Sequence, residues 1–165
     1  LGDVYKRQAR RLQHSKGVSL IEIMIAIAVI QVAIVGTSAY RYYSILDTHK
    51  ATARITAARI TLLFCENWRG VKGAEDYDPT AYSDVGLTIT TGSGPDAPEE
   101  FTSLGSYTVI SSGFTYYATL SWKDVDTELR ALNVIVAWAQ KFQGQGGFEN
   151  ADKTFELRTY AYRPN

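Results

Sequence analysis

A long, mostly apolar segment is the strongest pattern in the chain. It extends from Val18 to Ala39 and contains one charged residue, Glu22. As a helix, these 22 residues would be about 33 Å long, enough to cross a bilayer core of about 30 Å. The run is preceded by five basic residues (Lys6, Arg7, Arg10, Arg11 and Lys16) and followed by Tyr40-Arg41-Tyr42-Tyr43. Basic residues stay in the cytoplasm and aromatic residues favour the interface, so the pattern predicts a transmembrane segment over 18–39 with the bulk of the chain outside the cytoplasm.

The helical pattern continues beyond the apolar run. No proline occurs between Val18 and Arg69, and Gly36 is the only glycine between them. Small and apolar residues recur at helical spacing along one face of the second half, at Ala51, Ile55, Ala58, Leu62 and Cys65. Gly70 and Gly73 are signals for the end of the helix. The sequence predicts one helix over 18–69, whose second half packs against the rest of the chain through that face.

Alternating apolar and polar positions dominate the C-terminal part of the chain. This period of two is typical of strands, and it is found in Tyr107–Ser111, Phe114–Trp122, Ala131–Ala139 and Thr154–Tyr162. Connections of hairpin length between them predict a four-stranded antiparallel meander. Residues 71–105, rich in glycine, proline and acids, predict a long loop with a brief strand-like stretch at 87–90. The expected fold is α+β, with a basic leader at 1–17, the helix at 18–69, and a loop plus antiparallel sheet at 70–165.

The charge distribution adds an asymmetry between the two ends. The chain has 17 basic and 17 acidic residues, yet residues 1–17 carry a net charge of +4 and the remainder −4. No basic patch is visible in the part expected to fold, so nucleic-acid binding is not expected. The single cysteine, Cys65, allows no disulfide within the chain. On the packed helix face it is interpreted as a small buried apolar residue.

Glu22 is the residue that a membrane helix alone does not explain. A charge in mid-membrane costs roughly 2.5–3.5 kcal/mol, although Glu22 lies near the cytoplasmic end, from which it could reach the interface. The sequence around it is Gly17-Val18-Ser19-Leu20-Ile21-Glu22, behind a basic leader. This combination resembles the processing site of type IV pilin-like proteins, a family that includes pilus subunits and type II secretion pseudopilins. Val18 replaces the usual Phe, Ser19 replaces the usual Thr, and the segment lacks the proline that many major pilins have near the position of Ala39.

The resemblance implies a processing event and a role in assembly. A membrane-embedded prepilin peptidase would cut after Gly17 and methylate the new amine of Val18. In a filament, Glu22 of one subunit would neutralise the Val18 amine of a neighbour, because an unpaired charge in a dry core is very costly. The implied partners are other pilin or pseudopilin subunits, the peptidase, an inner-membrane assembly platform and the lipid bilayer, with no cofactor. The chain would begin as a single-pass protein of the inner membrane and end in a surface pilus or a periplasmic pseudopilus.

Several interpretations remain open from the sequence. The absence of a C-terminal cysteine pair favours a minor pilin of a type IV pilus over a major pilin, and a type II secretion pseudopilin is the alternative. A membrane-anchored or secreted binding domain that never polymerises is another. An ordinary secretory signal peptide, cut near Gly36-Thr37-Ser38-Ala39, is the last.

Candidate catalytic and metal-binding residues are few. After Gly17 the chain has one histidine, His49, and one cysteine, Cys65. About 24 Å of helix separates them, so they cannot form a dyad within one chain, and we expect no enzymatic activity. Three carboxylates at alternate positions of a turn are candidate calcium ligands, although their spacing equally suits a solvated hairpin: Asp124, Asp126 and Glu128. A second acidic run has the same two interpretations: Glu75, Asp76 and Asp78.

Overall fold

The computed structural model describes residues 18–83, 86–140 and 147–163, and it confirms the α+β fold. One helix, α1 (Leu20–Gly70), precedes an antiparallel sheet of five strands: β1 (Leu87–Thr91), β2 (Thr102–Ser111), β3 (Phe114–Asp126), β4 (Leu129–Trp138) and β5 (Lys153–Tyr162). Short 3₁₀ helices occupy Pro79–Tyr82 and Phe148–Asn150. Contacts divide the chain between Leu46 and Asp47 into two units, so α1 contributes to both.

The sheet has five strands rather than the predicted four, in the sequential order β1-β2-β3-β4-β5. Residues 87–90, predicted as a brief strand-like stretch within a loop, begin β1, in which Ile89 lies opposite Val109 of β2. The composition of β1, three threonines and one isoleucine after Leu87, suits a strand because β-branched side chains pack well on a pleated surface. The strand β2 also begins earlier than predicted, at Thr102, and its pairing continues across a register shift between Ser103 and Gly105.

The helix faces the sheet through a different stripe from the predicted one. Its buried residues in the second unit are Ala53, Ala57, Ile60, Thr61, Phe64, Cys65 and Trp68. Of the predicted stripe, Cys65 is buried, but Ile55 and Leu62 are 53% and 49% exposed. This half of the helix has two apolar stripes, and the sheet covers the one that carries Phe64 and Trp68, because aromatic side chains bury the most surface. The strand positions predicted to face the helix in β4 are confirmed, since Leu132, Val134 and Val136 are fully buried.

A Schellman motif ends α1. The amide of Gly73 donates to the Trp68 carbonyl (2.9 Å) and the amide of Lys72 to the Arg69 carbonyl (2.9 Å). Lys72 takes the left-handed conformation (φ 59°), and Gly73 follows with φ 68°. The indole Nε1 of Trp68 donates to the Ala74 carbonyl at 2.8 Å. The chain after the helix is therefore held close to the end of the helix.

The second face of the sheet is partly covered by the segment between β1 and β2. Ideal Cβ atoms on Gly92 and Gly94 would lie 2.2 Å from Thr108 Oγ1 and 2.4 Å from Thr119 Oγ1. Only glycine fits where this segment crosses the strands. Thr119 is thereby buried, together with Ser121 and Asn133, and Thr119 shares a 3.0 Å hydrogen bond with Ser106. The loop predicted for this region is therefore a packed layer rather than a free connection.

Candidate functional site

The candidate processing site lies at the start of the first unit. Gly17 is outside the described residues. Val18 and Ser19 immediately precede α1, and both are exposed. The Ser19 carbonyl accepts from the amides of Glu22 (2.9 Å) and Ile23 (3.2 Å), and its hydroxyl accepts from the Ile21 amide at 3.3 Å. Ser19 is therefore the N-cap residue of α1, and Val18 immediately precedes the cap.

Glu22 lies in the first turn of α1. A carboxylate there is favoured by the positive end of the helix dipole, an effect of about 0.3–1 kcal/mol at exposed sites. The sequence Ser19-Leu20-Ile21-Glu22 also has the spacing of a capping box, in which an acid or amide three residues after the cap supports the helix start. This local role of Ser19 was not predicted, although the serine-to-glutamate spacing was a sufficient signal. Glu22 therefore has two candidate roles, one within its own helix and one toward a neighbouring chain.

The apolar segment from Val18 to Val35 is exposed along its whole length in the described part of the chain. Its large apolar side chains from Val18 to Val35 are 47–78% exposed, and α1 is long and apolar enough, by length and composition, to cross a membrane. The hydroxyls of Thr37 and Ser38 donate to the carbonyls of Ala33 and Ile34, each at 2.8 Å. These polar groups are satisfied inside the helix, as an apolar environment requires. Lipid or other protein chains are the surroundings that suit such a surface.

A second uncovered apolar surface lies on α1 within the second unit. Ile55 and Leu62 are seven residues apart and lie on the same side of the helix, with Ala51 and Ala58 between and beside them. Ala51 is exposed and Ala58 is half-buried. This set, the stripe that was predicted to face the sheet, is a surface that another chain could contact.

The structure does not bring the candidate calcium ligands together as a site. Both carboxylate oxygens of Asp124 accept from Arg130. Asp126 accepts from the amide of Thr127 at 2.7 Å, and Glu128 accepts from the hydroxyl of Tyr162 at 3.1 Å. Within 18–83, 86–140 and 147–163, no three acid, histidine or cysteine side chains form a group that could hold a metal ion. The acids of this hairpin instead serve hydrogen bonds within the fold.

Arg130 donates hydrogen bonds to two of the acids that the sequence had suggested for calcium, Asp124 and Glu75. Its side chain is 1% exposed, and its Nη2 donates to Glu75 Oε1 at 3.0 Å. The guanidinium lies 3.7 Å from the centre of the Trp122 ring. Burial lowers the pKa of Arg130, but the hydrogen bonds that it donates to Asp124 and Glu75 outweigh this effect and raise the pKa overall. Arg130 shares the inward-facing positions of Leu132, Val134 and Val136, and a charge at such a position requires partners.

The remaining acids and the cysteine also have local roles. Asp78 caps the 3₁₀ helix by accepting from the amide and hydroxyl of Thr80 (2.9 and 2.7 Å), and these bonds lower the pKa of Asp78. Asp76 is exposed. Cys65 is buried as predicted, and its burial raises the pKa of the thiol to about 12. A thiol with that pKa is a poor nucleophile near neutral pH.

Comparisons of the chain with models of protein families, with curated proteins and with solved structures gave no match. The structure shows a long apolar N-terminal helix on an antiparallel sheet, an arrangement consistent with pilin-like proteins.

Proposed function

We propose that this protein is a structural, non-enzymatic subunit of a type IV pilus-like filament, and that it is processed after Gly17. The observation that carries the proposal is the first unit of the structure. In the described part of the chain, the apolar segment Val18–Val35 is exposed, and its one acid, Glu22, lies in the first turn of α1, four residues after the candidate new N-terminus at Val18. An uncovered apolar surface needs lipid before assembly and other subunits after it.

Charge pairing would connect processing to assembly. The cut would leave a positive amine on Val18 at the end of an apolar helix. When helices pack away from water, a buried ion costs several kcal/mol unless a counter-ion meets it, so Glu22 of a neighbour would fix the stagger between subunits. The uncovered stripe of Ile55 and Leu62 supports the same proposal, because it supplies apolar surface for contacts further along the helix.

Within this class we favour a minor pilin inserted in the inner membrane, with the sheet-bearing unit outside the cytoplasm. Its partners would be other subunits, a prepilin peptidase and a membrane assembly platform. A type II secretion pseudopilin would have the same chemistry and differ in destination, since its filament remains in the periplasm.

Two substitutions in the full chain separate charge pairing from helix capping. Glu22→Ala removes both the charge and the capping side chain. Glu22→Gln removes only the charge, because glutamine serves equally well at this position of a capping box. We expect both variants to insert and be processed normally, but to fall about tenfold or more in the filament fraction, since each leaves a buried amine unpaired.

The control is Gln31→Ala, which changes a polar residue of the same apolar segment without changing charge. It should leave the filament fraction at the wild-type level. If Glu22→Gln assembles normally while Glu22→Ala does not, Glu22 acts as a helix cap and the pairing proposal is wrong. If both variants assemble normally, Glu22 has no role in assembly and the pairing proposal is wrong. If the wild-type chain is found in no filament, neither a surface pilus nor a pseudopilus, the chain is a non-polymerising anchor or binding domain.

A further inference from the structure

The two edges of the sheet are finished differently. At the β1 edge, Ser83 satisfies the outward-facing backbone groups of Ile89. Its hydroxyl accepts from the Ile89 amide at 3.0 Å and donates to the Ile89 carbonyl at 3.3 Å. The short 3₁₀ helix Pro79–Tyr82 leads into this contact. Another strand could not pair there without displacing Ser83.

The β5 edge has no such cover from any residue in the described parts of the chain. The Arg163 amide donates to the Glu128 carbonyl at 2.8 Å, and the register between β4 and β5 has no shift. The odd-numbered residues of β5 therefore direct their backbone groups toward β4. The even-numbered residues direct theirs outward, and they run from Thr154 to Tyr162. A strand of ten residues thus presents a regular row of donors and acceptors that no residue within 18–83, 86–140 or 147–163 pairs.

The outward-facing residues are complementary to themselves when two copies of β5 run antiparallel. In the register centred on Leu157, Glu156 of each copy lies opposite Arg158 of the other, so opposite charges meet twice. Thr154 lies opposite Tyr160 in the same way. The side chains of all four residues are exposed on the same face. Cross-strand pairs of opposite charge stabilise a sheet, whereas like charges directly opposite destabilise it.

The neighbouring registers do not have this property. Centring the pair on residue 156 places Glu156 opposite Glu156, and centring it on residue 158 places Arg158 opposite Arg158. Charged side chains on an edge ordinarily discourage pairing. Here they disfavour the registers centred on residues 156 and 158 and favour the register centred on residue 157. The charge pattern thus selects both the occupant and its position.

We propose that β5 is an interaction surface for a second copy of this chain, which pairs with it antiparallel about a two-fold axis at Leu157. The sheet would then continue from one subunit into the next through backbone hydrogen bonds. Such an interface is isologous, because the same residues contribute on both sides. The proposal does not depend on the cut after Gly17 or on filament assembly, since all of its residues lie in the second unit.

Disulfide trapping in membranes of cells that express two differently tagged full-length copies tests the register. One copy carries Thr154→Cys and the other Tyr160→Cys, and both retain the buried Cys65. We expect a cross-link between the two tags on mild oxidation. Two copies that both carry Thr154→Cys are the control, because in this register these positions are about 20 Å apart along the strands. No 154–160 cross-link above that control overturns the proposal.

Charge reversal in trans tests the pairing itself. Glu156→Arg in both copies places like charges opposite each other and should reduce the cross-link about tenfold. Combining Glu156→Arg in one copy with Arg158→Glu in the other should restore it, because every opposite pair between the copies is again attractive. Each of these chains still has a broken internal pair between 156 and 158, which in the wild-type chain is an ion pair of 2.8 Å. Recovery therefore cannot come from the fold of the single chain, and failure to recover overturns the proposal.

The same cross-link in chains that also carry Glu22→Ala separates this inference from the proposed function. The pairing is a property of β5, so we expect the cross-link to persist when assembly through Glu22 is lost. Its disappearance in those chains would assign the proximity to packing within a filament and would contradict a self-sufficient β5 interface.

Discussion

Arg130 and Asp124 face each other across β3 and β4 and join by two parallel hydrogen bonds, Nε to Oδ1 at 2.6 Å and Nη2 to Oδ2 at 3.0 Å. The third nitrogen of the guanidinium, Nη1, donates to the carbonyl of Gly73 at 2.9 Å. This fork geometry is specific to arginine. It connects the turn after α1 to the hairpin end of β3 and β4.

Replacing Arg130 should destabilise the second unit. Arg130→Met keeps much of the apolar stem but leaves the Gly73 carbonyl without its donor and removes the contact with Trp122. We expect a loss of about 1–3 kcal/mol in the free energy of unfolding, measured by denaturant titration with tryptophan fluorescence. Arg158→Met is the control, since the ion pair of Arg158 with Glu156 is exposed and should contribute no more than about 1 kcal/mol. Equal losses in the two variants would show that the Arg130 cluster contributes no more than a surface pair.

Acid should weaken the second unit through Asp124. The hydrogen bonds from Arg130 hold the pKa of Asp124 below its ordinary value of 3.8, against a smaller opposite effect of burial. The folded state therefore binds protons less readily than the unfolded chain, so this contribution is complete above about pH 3.8 and is lost as the pH falls through the lower, folded pKa. The denaturant midpoint should fall below pH 4, and it should fall less steeply in Asp124→Asn. An unchanged slope in that variant, with exposed Asp96→Asn as the control, would contradict the assignment.

Two glycines with positive φ should differ in their tolerance of a methyl group. A Cβ on Gly73 would lie 3.0 Å from Leu132 Cδ2 and 3.1 Å from Arg130 Cδ, whereas a Cβ on Gly113 would meet nothing within 4 Å. Both positions are left-handed, with φ of 68° and 79°. Gly113→Ala should cost about 1–2 kcal/mol from backbone strain alone, and Gly73→Ala about 2–4 kcal/mol because crowding is added. Thermal unfolding of the two variants would measure the difference, and a larger loss for Gly113→Ala would rule out the close approach at Gly73.

The stripe of α1 that faces the sheet can be identified with a matched pair of truncations. Phe64 is fully buried and Leu62 is half exposed. Phe64→Ala should destabilise the second unit by about 3–5 kcal/mol, and Leu62→Ala should change its stability by less than about 1 kcal/mol. The reverse ranking in denaturant unfolding would restore the packing face that the sequence had suggested.

The sequence was sufficient to predict the class of fold because its two periodicities are strong. The apolar run and the absence of proline predict α1, and the alternation in β3, β4 and β5 predicts strands and their inward faces. The packed stripe was wrong because the second half of the helix has two apolar stripes, and helical spacing alone does not say which one the sheet covers. The strand β1 was predicted only as a brief strand-like stretch and was not counted in the sheet, because five residues between glycine-rich segments carry little pattern and their place in the sheet depends on pairing with β2.

The candidate site was only partly accessible from sequence. The fixed spacing from Gly17 to Glu22 and the apolar run are local features, so they could be read directly. Arg130 could not be assigned its partners, because Glu75 is 55 residues away along the chain and only the fold brings the two together. Two of the acids that suggested a calcium site in isolation, Asp124 and Glu75, therefore form ion pairs with Arg130 in the structure. The exposed edge at β5 could be identified only once the strand order was known. The four-strand prediction left out β1, so it could not show that Ser83 covers the opposite edge.

The most direct test of the central claim is mass spectrometry of the N-terminal peptide, made on filaments sheared from native cells and on the washed envelope. The account predicts a chain that begins at Val18, with a methylated amine, in the filament fraction. A processed chain that stays in the envelope would favour the pseudopilus destination over the surface pilus. A chain that retains residues 1–17, or one that is cut near Ala39, would contradict the filament assignment altogether.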